Sequence, residues 1–465
     1  MPYALAGGFF LLYSAYSLRR HQQFRTSAYD LGIFEQAVRA YSRLQAPVVP
    51  IKGPDVNILG DHFHPVLIVL APLYRLWPSA QLLLVAQAAL IAVSIVPIAR
   101  LAGDRLGTLP SVLLPVGYGL SWGLQGAVSF DFHEIAFAVP LIAFSVAALA
   151  ERRWHTAAGW ALPLLLVKED MGLIVAAIGG YLFWRGERRT GGALGLAGLL
   201  SVVLTIKVVL PHFNGGKFAY DAYLGGGGAL SLVSELNLLA EPRKLVLLAT
   251  LAALTGGIAL RSPIILIAVP VLLSRLVSAN PQHWEVGRVH YNAILMPILF
   301  VAVLDALPRL IGDKRRAVRA WARWAVPVPL LFALLIHLTP WSLTNPESYA
   351  GREHAAAGRR VLAAIPDDAS VAAANSLAAQ LTGRCRVVIF PWSHGERVDW
   401  VVADTTVKEV VIKVPNREEA VRAGLWPPTV AQQRAALAAL PSQGFTKVAE
   451  EDGVILFRRV GAAAP

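Results

Sequence analysis

Residues 157–184 read AAGWALPLLLVKEDMGLIVAAIGGYLFW, an apolar run that is interrupted only by Lys168, Glu169 and Asp170. The predicted helices on either side, 156–168 and 171–184, fall short of the roughly 17 to 25 residues that cross a bilayer, so we expect them to be tilted, broken or buried. Three ionisable groups at such a place are costly in lipid. We therefore expect them to face the bundle interior or an aqueous cavity, with a plain hairpin turn at the water interface as the alternative.

The composition of the whole chain is that of a polytopic membrane protein. Of its 465 residues, 55% are hydrophobic and only 15% are charged, and the mean hydropathy is +0.53. We predict an all-α transmembrane bundle of about eleven helices followed by a small α/β domain. The predicted spans are 2–18, 80–99, 108–125, 134–150, 156–168, 171–184, 192–210, 244–260, 263–279, 291–308 and 324–341.

The basic residues indicate orientation. The net charge of +12 comes mainly from Lys and Arg in short loops beside apolar runs, so we expect the lipid bilayer as a partner and not nucleic acid. With a cytoplasmic N-terminus, most basic loops become cytoplasmic, whereas loop 19–79, the Lys168 turn and the C-terminal domain become extracytoplasmic. Arg19, Arg20 and Arg25 oppose this assignment, but long loops obey the charge rule weakly.

Composition divides the chain near residue 345. Residues 1–345 form the predicted transmembrane domain, in whose outer loop 29–44 and 65–77 are predicted interfacial helices. Residues 346–465 form a predicted extracytoplasmic α/β domain of accessory function. Its predicted helices are 350–364 and 430–440, and its predicted strands are 370–373, 386–390, 400–403 and 453–457. Cys385 is the only cysteine, which excludes an intrachain disulfide and a cysteine metal site.

Asp30 is the acidic residue at the start of the first predicted interfacial helix. One reading is an N-cap, in which the carboxylate accepts backbone N–H bonds. The other is a general base that removes the proton of an acceptor hydroxyl at the membrane surface. The sequence leaves both readings open.

Two short strings, each of which combines acidic, aromatic and histidine residues, precede apolar segments. DHFHP at 61–65 contains His62 and His64, and FDFHE at 130–134 contains Asp131 and His133. Oxygen and imidazole ligands suit a divalent cation such as Mg²⁺, Mn²⁺ or Zn²⁺, so these four residues are a candidate metal site. The alternative is a polar loop near the headgroups.

A second group of residues is suited to a phosphate or another polar substrate. Lys can act as a point charge on a phosphate, and Arg as a bidentate clamp. The alternative for Lys207 is that its side chain extends from the apolar run 192–210 to the membrane surface. The alternative for Arg288, His290 and Tyr291 is that their segment anchors the tenth predicted span in the aromatic belt of the membrane. The predicted substrate or phosphate residues are Lys168, Glu169, Asp170, Lys207, Arg288, His290 and Tyr291.

Several of these strings together resemble a known family. They are YDLGIFEQ at 29–36, DHFHP at 61–65, LYRLWP at 73–78, FDFHE at 130–134, VKED at 167–170 and KVVLPHFNGG at 207–216. They resemble an uncharacterised family of bacterial predicted membrane proteins that is grouped with the GT-C glycosyltransferase superfamily. The resemblance runs from the first span to the last and includes the C-terminal domain.

The resemblance implies a multi-span enzyme that uses a polyprenyl-phosphate-linked sugar and has an acidic base in its first outer loop. Asp30 matches that position. Many members of the superfamily carry a second acid beside it, whereas here Tyr29 and Leu31 flank it.

We therefore expect inverting transfer of a sugar to a glycan, lipid or protein hydroxyl at the outer face of a bacterial cytoplasmic membrane. One alternative is a transporter or flippase in which Lys168, Glu169, Asp170 and Lys207 form a charge relay. A non-catalytic scaffold is a third possibility.

Overall fold

The computed structural model describes residues 1–218, 241–278, 280–287, 289–337, 343, 346, 353–391, 395–406 and 427–461. The chain forms two compact units. The first comprises Met1–Tyr16, Leu59–Val66 and Ala86–Ser348, and the second comprises Ser17–Ile58, Leu67–Val85 and Tyr349–Pro465. This division differs from the predicted boundary near residue 345, because most of loop 19–79 belongs to the same unit as the C-terminal sheet.

The described residues are mainly helical. The α-helices are Pro2–Gln22, Ile33–Ser42, Ala71–Leu76, Ala80–Val93, Ile95–Arg105, Thr108–Gly119, Trp122–Ser129, Ile135–Ala150, Trp154–Ala161, Met171–Trp184, Arg188–Leu204, Leu210–Phe213, Pro242–Leu254, Val269–Leu276, Leu295–Ile311, Arg316–Ala325, Val328–His337, Glu353–Ala363, Asn375–Ala378 and Val430–Ala439. Shorter 3₁₀ or π turns are Ala28–Gly32, Ile58–Gly60, Pro65–Leu70, Leu162–Leu166, Thr205–Val209, Ile258–Arg261, Pro263–Ala268, Pro281–Trp284, His290–Ile294 and Pro441–Gln443.

Within the described part of the chain, three continuous helical segments are long and apolar enough to cross a membrane. They are Ala80–Arg105, Arg188–Phe213 and His290–Ile311. Four shorter apolar helical segments accompany them: Pro65–Leu76, Ile135–Ala150, Met171–Trp184 and Pro263–Leu276. The short helices predicted around Lys168 are thus confirmed as short.

Prolines explain local irregularities in two of these three long segments. Pro97 has no N–H to donate to the carbonyl of Val93, and the regular helix is replaced by a single turn residue at Ser94. Pro211 likewise cannot bond to the carbonyl of Lys207, and the helix widens there into the π turn Thr205–Val209.

Glycines allow the two helices after Lys168 to approach closely. A Cβ added at Gly179 would lie 2.3 Å from the backbone nitrogen of Gly195, and one at Gly172 would lie 2.5 Å from the carbonyl oxygen of Gly198. Such small residues let helix backbones touch, which is a common way to pack helices in lipid. This hairpin gives Lys168, Glu169 and Asp170 a rigid base at the start of its first helix.

The second unit contains one five-stranded sheet. Its strands are β1 (Ser370–Ala373), β2 (Arg386–Ile389), β3 (Trp400–Asp404), β4 (Phe445–Glu451) and β5 (Val454–Arg459), in the order β2-β1-β3-β5-β4. Strands β1, β2 and β3 are parallel neighbours, and β5 is antiparallel to β3 and β4. The predicted α/β character of the C-terminal domain is confirmed. Strand β4 was not predicted, because it is a polar edge strand.

The helix Ile33–Ser42, which was predicted as part of an interfacial helix, packs against the sheet region of the same unit. Gln36 Nε2 donates to the carbonyl of Val387 in β2 at 2.8 Å, and Arg39 donates to the carbonyl of Cys385 at 2.8 Å. The helical spacing of 29–44 places Glu35 with Arg39 and Arg43, opposite Leu31, Phe34, Val38 and Tyr41, and so predicts a polar, exposed position for Glu35. This prediction is wrong. The Glu35 side chain is fully buried, and its carboxylate accepts hydrogen bonds from Tyr74 and Thr382.

Burial raises the pKa of Glu35 to about 7, although hydrogen bonds from Thr382 and Tyr74 and the charge of Arg39 oppose the rise. The folded state then binds more protons than the unfolded state between the ordinary carboxyl pKa and about 7. The resulting stabilisation is fully present below the unfolded-state pKa and is lost as the pH rises through the folded-state value.

We expect the free energy of unfolding of the wild type to fall by on the order of 3 kcal/mol between about pH 5 and about pH 8, because one pKa unit corresponds to about 1.4 kcal/mol. Glu35→Gln should remove most of this slope, since an amide does not titrate. The free energy of unfolding is measured by thermal unfolding at several pH values across that range. Glu450→Gln, at an exposed carboxylate of β4, is the control and should keep the slope. Equal slopes in wild type and Glu35→Gln would contradict the assignment.

Candidate functional site

A buried ion pair joins the starts of two apolar helices in the first unit. Lys168 Nζ lies 2.9 Å from Glu134 Oε1, and the two side chains are 12% and 1% exposed. Glu134 immediately precedes Ile135–Ala150, and Lys168 lies three residues before Met171–Trp184. Since buried charges require a partner, this contact fixes both helix starts. Sequence reasoning selected Lys168 but missed Glu134, although Glu134 ends the FDFHE string.

Glu169 binds the DHFHP segment. Its Oε1 lies 2.7 Å from His62 Nδ1, and its Oε2 accepts the backbone N–H of Phe63 at 3.0 Å. Burial alone raises the pKa of Glu169, but the charge and hydrogen bond of His62 and the charge of Lys168 outweigh it and leave the pKa below its ordinary value. The pair therefore connects two segments that lie far apart in the sequence.

His64 is buried in the same region. Its burial lowers the pKa of the imidazole to about 4, and the charges of His62 and Lys168 act in the same direction while Glu134 opposes them. His64 is therefore neutral near pH 7.

Gln87 holds the turn that carries Asp131 and His133. Its Nε2 donates to the carbonyl oxygens of Asp131 and Ala127 at 2.6 and 3.2 Å, and its Oε1 accepts the His133 N–H at 3.0 Å. Asp131 has φ = +70°, a left-handed conformation that a non-glycine residue rarely adopts. A side-chain amide that bonds both ends of a turn can hold it in that conformation. Sequence reasoning did not select Gln87.

Aromatic and imidazole rings complete the site. The rings of His133 and His290 are stacked with centroids 3.7 Å apart, and Tyr291 packs against His290 at 4.2 Å. Arg275, which was not predicted, is buried, and its guanidinium lies 6.0 Å from the ring centroid of Tyr291. Arg288 lies outside the described residues.

The polar cluster is defined by side chains that interact through contacts or charges, together with Asp131, whose backbone carbonyl is bound by Gln87. Its members are His62, His64, Asp131, His133, Glu134, Lys168, Glu169, Asp170, Arg275, His290 and Tyr291. Burial raises the pKa of Asp170, and its buried Oδ1 has no hydrogen-bond partner among the described residues. Lys207, by contrast, is exposed on its π turn.

The residues predicted as metal ligands are arranged differently from a metal site. His62 is engaged with Glu169, and His133 is stacked on His290. Across the described ranges, no three His, Cys, Asp or Glu side chains form a group suited to a metal ion. The divalent cation therefore stays a prediction, and no step of the chemistry below uses one.

Asp30 lies in the second unit in a strained backbone conformation. Its φ and ψ are 151° and −89°, and Ser27 Oγ lies 3.4 Å from its Oδ2. The following helix, Ile33–Ser42, has Gly32 as its N-cap and no side-chain cap hydrogen bond. The capping role is thus not what the structure shows. Strained non-glycine residues concentrate at functional sites, which favours a functional role for this carboxylate.

A comparison with known protein families identifies the family to which the chain belongs. A family model described as "Predicted membrane protein (DUF2079)" matches residues 20–456. The chain belongs to this family. No curated protein matches the sequence.

The fold is also found in a solved structure. The crystal structure of ArnT from Cupriavidus metallidurans bound to undecaprenyl phosphate matches with a TM-score of 0.57 and 13% sequence identity, covering 99% of each chain. The predicted GT-C-like polytopic fold with a small C-terminal domain is confirmed. This DUF2079 member is therefore a multi-pass membrane protein of GT-C-like fold.

Proposed function

We propose that the protein transfers a sugar from a polyprenyl-phosphate-linked donor to a hydroxyl of a cell-envelope acceptor, at the outer face of the membrane. The observation that carries the proposal is the full-length similarity to the ArnT structure, which contains undecaprenyl phosphate. The strained Asp30 and the buried polar cluster supply chemistry suited to that reaction.

Asp30 is the proposed general base. In the reaction, the acceptor oxygen forms a bond to the anomeric carbon as the bond between that carbon and the phosphate oxygen breaks. The acceptor proton passes to the Asp30 carboxylate, and the polyprenyl phosphate leaves with the bonding electron pair. Attack opposite the leaving group inverts the anomeric centre.

The polar cluster is proposed to bind the phosphate group. Lys168 is an ammonium with three donors, of which one is used on Glu134. Its remaining donors and the Arg275 guanidinium suit phosphate oxygens. Stabilising charge on the departing phosphate is the electrostatic part of catalysis, which is often its largest contribution.

The test is transfer by the full-length protein in liposomes. A panel of polyprenyl-phosphate monosaccharides labelled in the sugar is supplied together with an envelope lipid and glycan extract. We expect label to enter the acceptor fraction with an equal amount of free polyprenyl phosphate, measured by mass spectrometry. Movement of intact donor across the bilayer without release of polyprenyl phosphate would instead establish a transporter and overturn the proposal.

A further inference from the structure

The second unit contains a cavity of about 370 Å³. Its volume falls within the range of small-molecule sites. Side chains from four separate segments line it, and among them are Arg25, Ser27, His354, Asn375, Asp404 and Thr406. Phe24 is the large apolar residue in the wall. The cavity shares no residue with the polar cluster, because every lining residue belongs to the second unit.

One wall of the cavity is held rigid by His354. Its Nε2 lies 2.9 Å from Asp404 Oδ2, and its Nδ1 lies 2.9 Å from Asp452 Oδ2. A carboxylate only accepts hydrogen bonds, so both ring nitrogens must carry protons, and His354 is an imidazolium. Burial lowers its pKa, but the hydrogen bonds and charges of the two carboxylates outweigh burial and hold the pKa above its ordinary value.

Thr406 completes this wall. Its backbone N–H and its Oγ1 both donate to Asp404 Oδ1, at 2.9 and 2.7 Å. Both carboxylate oxygens of Asp404 thus accept hydrogen bonds, and Asp404 is only 7% exposed. A carboxylate fixed in this way keeps one orientation, and such preorganised polar groups give specificity for the geometry of a ligand.

Two other lining residues, Ser27 and Asn375, contact the turn that carries Asp30. Ser27, which lines the cavity, lies 3.4 Å from Asp30 Oδ2 through its Oγ. Asn375, which also lines it, accepts the Tyr29 N–H through its Oδ1 at 3.0 Å. The strained turn that carries Asp30 is therefore fixed by side chains that also face the cavity.

The lining favours a neutral, hydroxyl-rich ligand. Hydroxyl, amide, imidazolium, guanidinium and carboxylate groups stand together, so both donors and acceptors are offered at short range. The charges of Arg25 and His354 are balanced by the carboxylates of Asp404 and Asp452, so the lining offers little net charge to an anionic phosphate group.

We propose that this cavity binds a sugar unit of the acceptor next to Asp30. The role of the cavity in catalysis rests on the proposed glycosyl transfer, whereas sugar binding can be measured in the absence of transfer. The residues that position the sugar are Ser27, Asn375 and Thr406, and Asp30 is the group that touches the reacting hydroxyl.

The experiment measures sugar binding by the full-length protein in nanodiscs. Methyl glycosides of glucose, galactose, mannose and N-acetylglucosamine are tested by saturation-transfer NMR. Ser376 lines the cavity, so Ser376→Trp should fill it and abolish the signals. The matched control is Ser442→Trp, on the 3₁₀ turn Pro441–Gln443, which should keep them. Ser376→Leu, a smaller change, should weaken the signals if the tryptophan variant does not fold.

The outcomes separate the two proposals. Asp30→Asn should keep glycoside binding and lose transfer. Glycosides that bind the wild type and not Ser376→Trp, in a protein that transfers no sugar, would support the cavity and overturn the transferase. No signal for any glycoside, equal signals in wild type and Ser376→Trp, or unchanged transfer by folded Ser376→Trp would overturn the cavity proposal.

Discussion

Asp30→Asn is expected to lower kcat/KM for sugar transfer by about 10²- to 10⁴-fold, the range of a general-base contribution. The amide has nearly the shape of the carboxylate but cannot take the acceptor proton. The hydrogen bond from Ser27 can still be made to the amide oxygen, so the fold should be unaffected. Initial rates of polyprenyl phosphate release give the kinetic constants, and thermal unfolding checks the fold.

Asp30→Gly gives a second and independent readout. At φ = 151° a side chain is strained, and glycine is not. Relief of such strain should raise the free energy of unfolding by about 1 to 3 kcal/mol while transfer is lost as completely as in Asp30→Asn. A residue with a purely structural role would not combine higher stability with lost activity.

Asp55→Gly is the matched control. Asp55 is exposed in the same unit and has φ = 58°, so glycine relieves backbone strain there too. We expect the control to keep full transfer activity. If Asp30→Asn transfers sugar at the wild-type rate, Asp30 is not the base.

The fold could be predicted where the sequence carries a local signal. Charged residues bound the apolar run 171–184 on both sides, and the helix Met171–Trp184 has the same limits. The strand prediction 370–373 also coincides with β1, because its small and β-branched residues form a short buried run.

What could not be predicted depends on contacts between distant residues. Nothing near Glu35 in the sequence indicates Tyr74 or Thr382, so its amphipathic position was taken as exposed. Strand β4 pairs with β5 as a polar edge, and the pattern of an edge strand resembles that of a loop.

The candidate site shows the same limit. Sequence motifs selected His62, Lys168 and Glu169, since ionisable groups beside apolar runs are conspicuous. Their partners could not be assigned, because Glu134 is 34 residues from Lys168 and His62 is 107 residues from Glu169. Single-sequence reasoning thus found the charged residues and not the pairs.

Lys168→Met is expected to destabilise the protein by about 3 to 5 kcal/mol, because it leaves the Glu134 carboxylate buried without its partner. The Glu134 side chain is only 1% exposed, so water cannot replace the ammonium. The free energy of unfolding is measured by titration with a denaturing detergent. Arg153→Met removes one partner of the exposed pair with Glu151 and should leave stability nearly unchanged.

The double variant Lys168→Met with Glu134→Gln separates the structural role of Lys168 from its proposed role on the phosphate. Removing both charges eliminates the uncompensated carboxylate, so most of the lost stability should return. Transfer should not return, because the ammonium that binds the departing phosphate is still missing. Recovery of both stability and transfer in the double variant would show that Lys168 only supports the two helix starts, and the phosphate would then have to be bound by other cations such as Arg275.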